Sequence, residues 1–512
     1  MGNMPRDSTT QRTTRVGLCA LNFFSSDIRD GLAPFAAVFL LQEAGWRPGM
    51  IGIAMTANSI SQFAVQTPVG AFIDGTVHKK AVCIACCVVV ATMSLAMVYF
   101  PDFWAVVITR AIQGVGSAAL PPAIAAMTLG VVGSAKFAHQ ISYNEVFNHA
   151  GMACCSLGAG LAAYFWEPKA AFFIVGSTGA LSILCLPLIT GIDHDVARGL
   201  APADSGRDDG DGERSGESLP PATQSENEEG ELKGGGKKAM GYGELLADRR
   251  ILCFCLCCFG FHFGNAAMLP LLGQKLSLGD ASGKNSMFYM AACQIVAQCV
   301  MTCIALIVGR LADSWGRLPV YMLGFAIIPT RGILVSLVHY SNSWLLISTQ
   351  VFDGLANGIF GVLSVVVAED LAAGTGHYNL VFGLVSTSVQ VGAACSTLIG
   401  EFVVDIYDQC CDDGSNPGEA YNVAFRFLGC VALAPVLLFA VGVGETAPHL
   451  RPLPTGGEAE EEEHGHLAWA RHSEAGPAAL SCDRCIFGQK LEHALNSEET
   501  KPLLSQGGVL IS

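Results

Sequence analysis

Gly309 to Arg317 reads GRLADSWGR, the pattern G-x-x-x-D-x-x-G-R set between two apolar runs of helical length. A weaker copy, GAFIDGTVHKK, stands at Gly70 to Lys80, 239 residues earlier from first glycine to first glycine. Each copy reads as a tight, charged turn joining two helices. Nearly the same offset recurs elsewhere. TRAIQG at Thr109–Gly114 is answered 240 residues on by TQVFDG at Thr349–Gly354, and YNEVF at Tyr143–Phe147 is answered 235 residues on by YNLVF at Tyr378–Phe382. Three matches at nearly one spacing predict two homologous halves in the same orientation.

The rest of the chain fits that frame. Of 512 residues, 51% are hydrophobic and only 14% charged, with mean hydropathy +0.44, a composition foreign to ordinary soluble domains. About twelve apolar runs reach the ~20 residues that a bilayer demands: 18–42, 50–70, 81–100, 103–130, 141–165, 170–190, 251–272, 286–308, 320–340, 344–368, 379–405 and 421–443. The net charge of -15 comes largely from the stretches between and after these runs, so it says nothing for a nucleic-acid partner. The 20 cysteines fall mostly inside apolar runs, where Cys behaves as a small hydrophobe. The first 16 residues are polar and the first apolar run outlasts a signal peptide, so no cleavable signal is expected.

The loop pattern resembles the signature between the second and third helices of each half of the Major Facilitator Superfamily. Thr109–Ala118, TRAIQGVGSA, is similar to that family's second signature, R-x-x-Q-G-x-G, at Arg110, Gln113, Gly114 and Gly116. The resemblance implies an all-α membrane fold of twelve transmembrane helices, two parallel six-helix repeats around a central cavity, worked by alternating access. It implies a proton-coupling role for Arg110 with an acid on another helix. The G-P-x-x-G-G core of family antiporters is missing from the fifth run, which leaves export and uptake both open.

Charge sets the expected topology. Arg6, Arg12, Arg15, Lys79, Lys80, Lys136, Lys237, Lys238, Arg249, Arg250, Arg310 and Arg317 fall on one side, against Arg47, Lys169, Lys275 and Lys284 on the other. Both termini are therefore expected in the cytosol. The expected domains are a cytosolic N-terminus at 1–16, an N-terminal six-helix bundle at 17–191, a disordered acidic linker at 192–250, a C-terminal bundle at 251–444 and a disordered cytosolic tail at 445–512. The linker and tail are too polar and Gly/Ser-rich to bury a core.

Charged residues inside spans are the functional candidates, since each costs roughly 2.5 to 3.5 kcal/mol to insert. The first span carries Asp27, Arg29 and Asp30, which read either as a fixed ion pair or as a substrate or proton site. Asp27 or Asp30 is the expected partner of Arg110, whose guanidinium stays charged and can hold a carboxylate ionised. Glu145 and His149 lie one helical turn apart, as do Asn144 and Asn148; Glu145 and His149 read as a proton carrier or as a satisfied interior pair. Asp353 stands at the repeat position of Gln113 and is expected to face the cavity. Asn22, Asn58, Gln62, Gln66, Asn148, His262, Asn265, Asn357 and Gln390 are candidate cavity residues, with His262 read equally as structural. Gly70, Asp74, Gly309, Asp313, Gly316 and Arg317 form the gating loops. Asp313 is expected at a helix N-terminus, and Glu369 and Asp370 are expected to latch onto the loop.

The tail holds Glu499, Leu503 and Leu504 in an acidic dileucine pattern of the kind read by vesicle adaptors. Its acidic cluster, with His472, Cys482 and Cys485 beyond it, reads as a flexible tail or as a metal binder. No phosphate-binding loop, nucleophile elbow or metal catalytic set stands in the sequence, so neither an enzyme nor a cofactor or resident metal is expected. The expected function is proton-coupled movement of a small organic solute through the bilayer by a monomer, with export favoured because Thr109–Gly116 and the acid-bearing first helix look like those of multidrug exporters. The alternatives are uptake or vacuolar movement of a metabolite or metal chelate, and a transporter-fold receptor or scaffold. The expected location is the plasma membrane or a vacuolar or other endomembrane.

Overall fold

The computed structural model describes residues 8–28, 32–197, 247–280, 285–372, 378–410 and 416–447. Among these residues every regular element is helical. The first half comprises α1 (Ser8–Ser26), α2 (Leu32–Gln42), α3 (Pro48–Gly75), α4 (Lys79–Tyr99), α5 (Phe103–Val132), α6 (Ser134–Phe165) and α7 (Ala170–Cys185). The second comprises α8 (Arg249–Asn265), α9 (Met268–Leu278), α10 (Ser286–Trp315), α11 (Arg317–Leu337), α12 (Ser343–Ser348), α13 (Gln350–Ala372), α14 (Tyr378–Cys410), α15 (Glu419–Val431) and α16 (Leu433–Gly442). The linker at 198–246, the dileucine residues Glu499, Leu503 and Leu504, and the candidate metal-binding tail lie outside the described residues.

Among the described residues, ten helical stretches are long and apolar enough to cross a bilayer. Two of the twelve expected spans are not among these ten. The first runs through α1 and α2, with residues 29–31 between them outside the described residues. The second, α3, is 28 residues long, about 40 Å of helix, but Asn58, Ser59, Ser61, Gln62 and Gln66 lower its apolarity because one face borders a polar cavity. In the second half, α8 gives way to α9 at Ala266 and Ala267.

The halves repeat in their packing. Gly114 brings α5 against α3 so closely that a Cβ there would overlap the Asn58 carbonyl oxygen, and Gly354 brings α13 against α10 with a Cβ 2.6 Å from the Ala297 carbonyl oxygen. Gly151 of α6 abuts the Phe23 carbonyl of α1; Gly392 of α14 abuts the Phe259 carbonyl of α8. Small residues let backbones approach where lipid supplies no hydrophobic drive between helices. Each pair is related by nearly the offset read from the sequence.

At the end bearing the signature turns, Gly316 takes a φ of 99°, a left-handed conformation open to glycine without steric penalty, and joins α10 to α11. Arg317 pairs with Asp313 at 2.7 Å and with Asp370 of α13 at 3.4 Å. Glu445, not Asp313, takes the N-terminus of α11, accepting from the Arg317 and Leu318 backbone amides at 2.9 and 3.1 Å. Asp313 is instead held by Arg317, four residues along. Two lysines counted for topology are also spoken for by helix ends. Lys79 donates to the Ile73 and Thr76 carbonyls ending α3, and Lys275 to the Val335 and Val338 carbonyls ending α11 and to Asn422, placing cations where helix dipoles favour them.

The halves touch chiefly away from the signature turns, at what is here the far end. There α2 packs on α9, α3 on α14 and α6 on α10. Arg47 pairs with Asp405 at 2.9 Å, Gln42 donates to Ser286 at 3.0 Å and Ser156 donates to Gln294 at 2.7 Å. Gly52 and Gly160 admit the other half closely: a Cβ at Gly52 would stand 2.8 Å from Glu401 Cβ, and one at Gly160 would overlap Ala291. By contrast, a Cβ at Gly70, Gly309 or Gly383, toward the signature end, would meet nothing within 4 Å. The far end is shut.

Candidate functional site

One cavity of about 280 Å³ is lined from α3, α4, α5 and α14, by Asp27, Ile28, Ala33 and Pro34 around the start of α2, and by Ala266, Leu269 and Pro270 where α8 gives way to α9. Its polar lining includes Asp27, Asn58, Gln62, Arg110, Gln113 and Gln390; its walls are apolar at Ile28, Met55, Val90 and Leu269. Charged and polar side chains can stand at membrane depth here because a cavity takes the place of lipid. The far-end contacts described above close it on one side.

Arg110 is 4% exposed and donates to Gln113 at 2.7 Å, which in turn donates to Ser94 of α4 at 2.9 Å. Its backbone carbonyl accepts from Asn58 at 3.2 Å. Its Nε has no hydrogen-bond partner, and among the described residues no carboxylate lies within ion-pair distance. Asp27 lines the same cavity, 1% exposed, and accepts from the Cys155 thiol at 3.3 Å. A guanidinium kept off a fixed partner can act on whatever enters. Gln62 and Gln390 join α3 to α14 across the cavity, the Gln390 amide donating to Gln62 at 2.5 Å. Arg29 and Asp30 lie outside the described residues, as does the side chain of Asp74.

Several sequence candidates stand elsewhere. His149 is bound to Gln298 of α10 at 2.7 Å, while Glu145 accepts from Asn148 at 3.4 Å; the helical-turn spacing of Glu145 and His149 does not make them partners, because His149 turns toward the other half. Asn22 donates to the Leu18 carbonyl of its own helix at 2.9 Å. His262 contacts the Cys258 carbonyl at 3.3 Å and packs edge-on to Phe360, a structural setting. Neither Asn22, Gln66, Asn148 nor His262 lines the cavity.

Asp353 does not line the cavity either. It forms an ion pair at 2.8 Å with Arg331 of α11, whose side chain is fully buried. The same guanidinium donates to Asn265 at 2.7 Å and to Gln350 at 3.1 Å; Asn357 donates to Asp353 at 2.9 Å, and Asn265 donates to Asn357 at 3.2 Å. Three helices, α8, α11 and α13, are thus tied through one charge-assisted network. Arg331 is not among the residues that the sequence patterns single out, yet a lone arginine in AIIPTRGILVS carries the same insertion penalty that marks Asp353.

Comparison with known proteins accords with this architecture. The profile of the Major Facilitator Superfamily matches residues 18–328 and 299–490. Two Mycobacterium tuberculosis proteins, of strains CDC 1551 / Oshkosh and H37Rv, each described as an uncharacterized MFS-type transporter, are 35% identical over 428 residues, covering 83% of this chain and 92% of theirs. Among solved structures, the nucleoside transporter NupG superposes with a TM-score of 0.62, and a single-substitution mutant of it with 0.64, both at 13% identity over 83% of this chain and 99% and 100% of theirs; that likeness is one of fold. The chain belongs to the Major Facilitator Superfamily and is an integral, multi-pass membrane protein of a transporter family.

Proposed function

We propose that the protein moves a small organic solute across its membrane by alternating access, driven by protons and in the direction of export. The observation that carries the reading is Arg110, a buried guanidinium on the cavity wall with no carboxylate partner among the described residues, facing the same space as Asp27. An arginine stays charged at working pH, so its stabilisation must come from a carboxylate, a solute or water in turn. Protonation of Asp27 and entry of a solute would then compete for, or share, one electrostatic site. The amides of Asn58, Gln62 and Gln390 supply donors and acceptors, and the apolar walls suit a ring or short chain.

A cavity of about 280 Å³ suits a molecule of roughly nucleoside size; the 13% identity to NupG carries no substrate assignment. The excess of basic residues at the signature end supports a cytosolic position for that end, for both termini and for the linker and tail. The exporter-like Thr109–Gly116 stretch supports outward movement. An integral scaffold would have no use for a buried guanidinium beside a polar cavity.

The test is internal pH in sealed vesicles containing the purified full chain, with a solute library added from one side. A solute-driven pH change that Arg110→Ala and Asp27→Asn both remove supports the reading, and its sign distinguishes export by exchange from uptake with the proton. Solute movement without a pH change would end the proton role.

A further inference from the structure

A second buried acid sits in the far-end seal. Glu401 of α14 is fully buried, and among the described residues no cation lies within ion-pair distance of it. One oxygen accepts from the Gln274 amide of α9 at 2.7 Å; the other has no hydrogen-bond partner. Gln274 also contacts the Tyr421 hydroxyl of α15 at 3.4 Å. Against its aliphatic stem lies α3, where Gly52 leaves so little room that a Cβ would stand 2.8 Å from Glu401 Cβ.

Its place along α14 is informative. Thr397, one turn toward the signature end, lines the solute cavity; Asp405, one turn the other way, reaches the outer rim and pairs with Arg47. Positions four apart share a helix face, so Thr397, Glu401 and Asp405 form a polar stripe running from the cavity to the far-side water. Glu401 is the dry middle of that stripe, covered by the other half of the molecule.

An ionised carboxylate there would have one hydrogen bond and no counter-charge in a site closed to water, which burial strongly opposes. The charged and titratable groups nearby do not supply one. Asp405 and Asp408 of the same helix are acids; Arg47, preceding α3, is taken by Asp405; Lys275, beside Gln274, is turned to the Val335 and Val338 carbonyls and Asn422; Tyr421 offers only a hydroxyl. A neutral acid fits. With the Gln274 amide turned, its oxygen accepts the carboxyl proton and its nitrogen donates to Tyr421, and the two ends of an amide are alike in shape.

We propose that Glu401 binds a proton whenever the far end is shut and gives it up to far-side water when α3 parts from α14, so that closing this gate takes up one proton. The sign follows directly. A proton bound only in the shut state stabilises that state at low far-side pH, and the stabilisation fades as pH rises, by at most about tenfold in the shut-to-open ratio per pH unit. The site is separate from the reading of Asp27 and Arg110, and stands or falls without it.

The test is infrared spectroscopy of the purified full chain in lipid vesicles. At neutral pH the wild type is expected to show the carbonyl stretch of a buried carboxylic acid that Glu401→Gln removes and Asp27→Asn does not. Gly52→Leu, which wedges α3 from α14, is expected to remove it too, by exposing and ionising Glu401. A spectrum in which Glu401→Gln deletes no such band overturns the proposal, and that result needs no transport. Solute exchange is the second readout: the slowing of the wild type as far-side pH falls should be reduced in Glu401→Gln. A band lost in Glu401→Gln with the pH dependence unchanged overturns the gating role.

Discussion

Arg110 and Arg331 are buried arginines, one in each half of a repeated architecture, and they are treated in opposite ways. Arg331 is neutralised by Asp353 at 2.8 Å and surrounded by Asn265 and Gln350, away from the cavity. Arg110 borders the cavity with one glutamine and no acid in reach among the described residues; the Nε of each arginine lacks a hydrogen-bond partner. The repeat offset shows how the roles moved. Gln350 occupies the position of Arg110, and Asp353 that of Gln113, so in the second half the arginine comes from the neighbouring helix α11 and meets the acid directly. A paired charge holds helices together. An unpaired charge at a cavity wall is left to meet whatever enters.

That contrast can be broken from either side. The largest effect is expected at Asp353→Ala, which strands the Arg331 charge and should destabilise the protein by about 3–5 kcal/mol, read as lost thermal stability in detergent. Arg331→Met combined with Asp353→Leu should recover most of it, and a double variant as unstable as the single one would show that the network is more than an ion pair. Next comes Arg110→Ala. Solute flux should fall by about tenfold to a hundredfold, the scale of a charge-assisted contact at about 1.5–3 kcal/mol, while the melting temperature holds or rises because no ion pair is broken. A melting temperature that collapses as it does for Asp353→Ala would erase the distinction between the two arginines.

Smaller effects should sharpen the picture. Gln390→Ala removes the amide bridge to Gln62 and one cavity donor; a single hydrogen bond at about 0.5–1.5 kcal/mol predicts a loss of solute affinity of about two- to tenfold in a binding titration. Arg47→Ala, at the half-exposed rim pair with Asp405, should change thermal stability by about 1 kcal/mol or less. An effect as large as that of Asp353→Ala would mean that the rim, rather than the buried seal beneath it, holds the far end shut.

Much of the site is legible in the chain itself. The insertion penalty marks Asp27 and Asp353, the R-x-x-Q-G pattern marks Arg110 and Gln113, and polarity within apolar runs suggests Asn58, Gln62 and Gln390. Asp27, Asn58, Gln62, Arg110, Gln113 and Gln390 line one cavity; Asp353 does not, nor do Asn22, Gln66, Asn148, His262, Asn265 and Asn357, which the same polarity argument marked. Pairing by spacing is what fails. Glu145 and His149 share a helix face, yet His149 reaches across to Gln298. Asp313 is expected at a helix end that Glu445, far along the chain, takes instead.

The sequence by itself determined the membrane class, the two parallel halves, the family and the helices that carry charge, because length, apolarity and repeat spacing belong to single segments and survive any arrangement of them. Only the tertiary structure decided which charges are satisfied. Successive residues turn about 100° around a helix, so a rotation of one residue exchanges cavity for protein or lipid. That rotation is set by contacts such as Gly114 on Asn58, Gly354 on Ala297 and Gly52 on Glu401, made between segments tens to hundreds of residues apart. Arg331 became a strut, Arg110 a guanidinium without an acid and Glu401 a covered carboxyl for that reason.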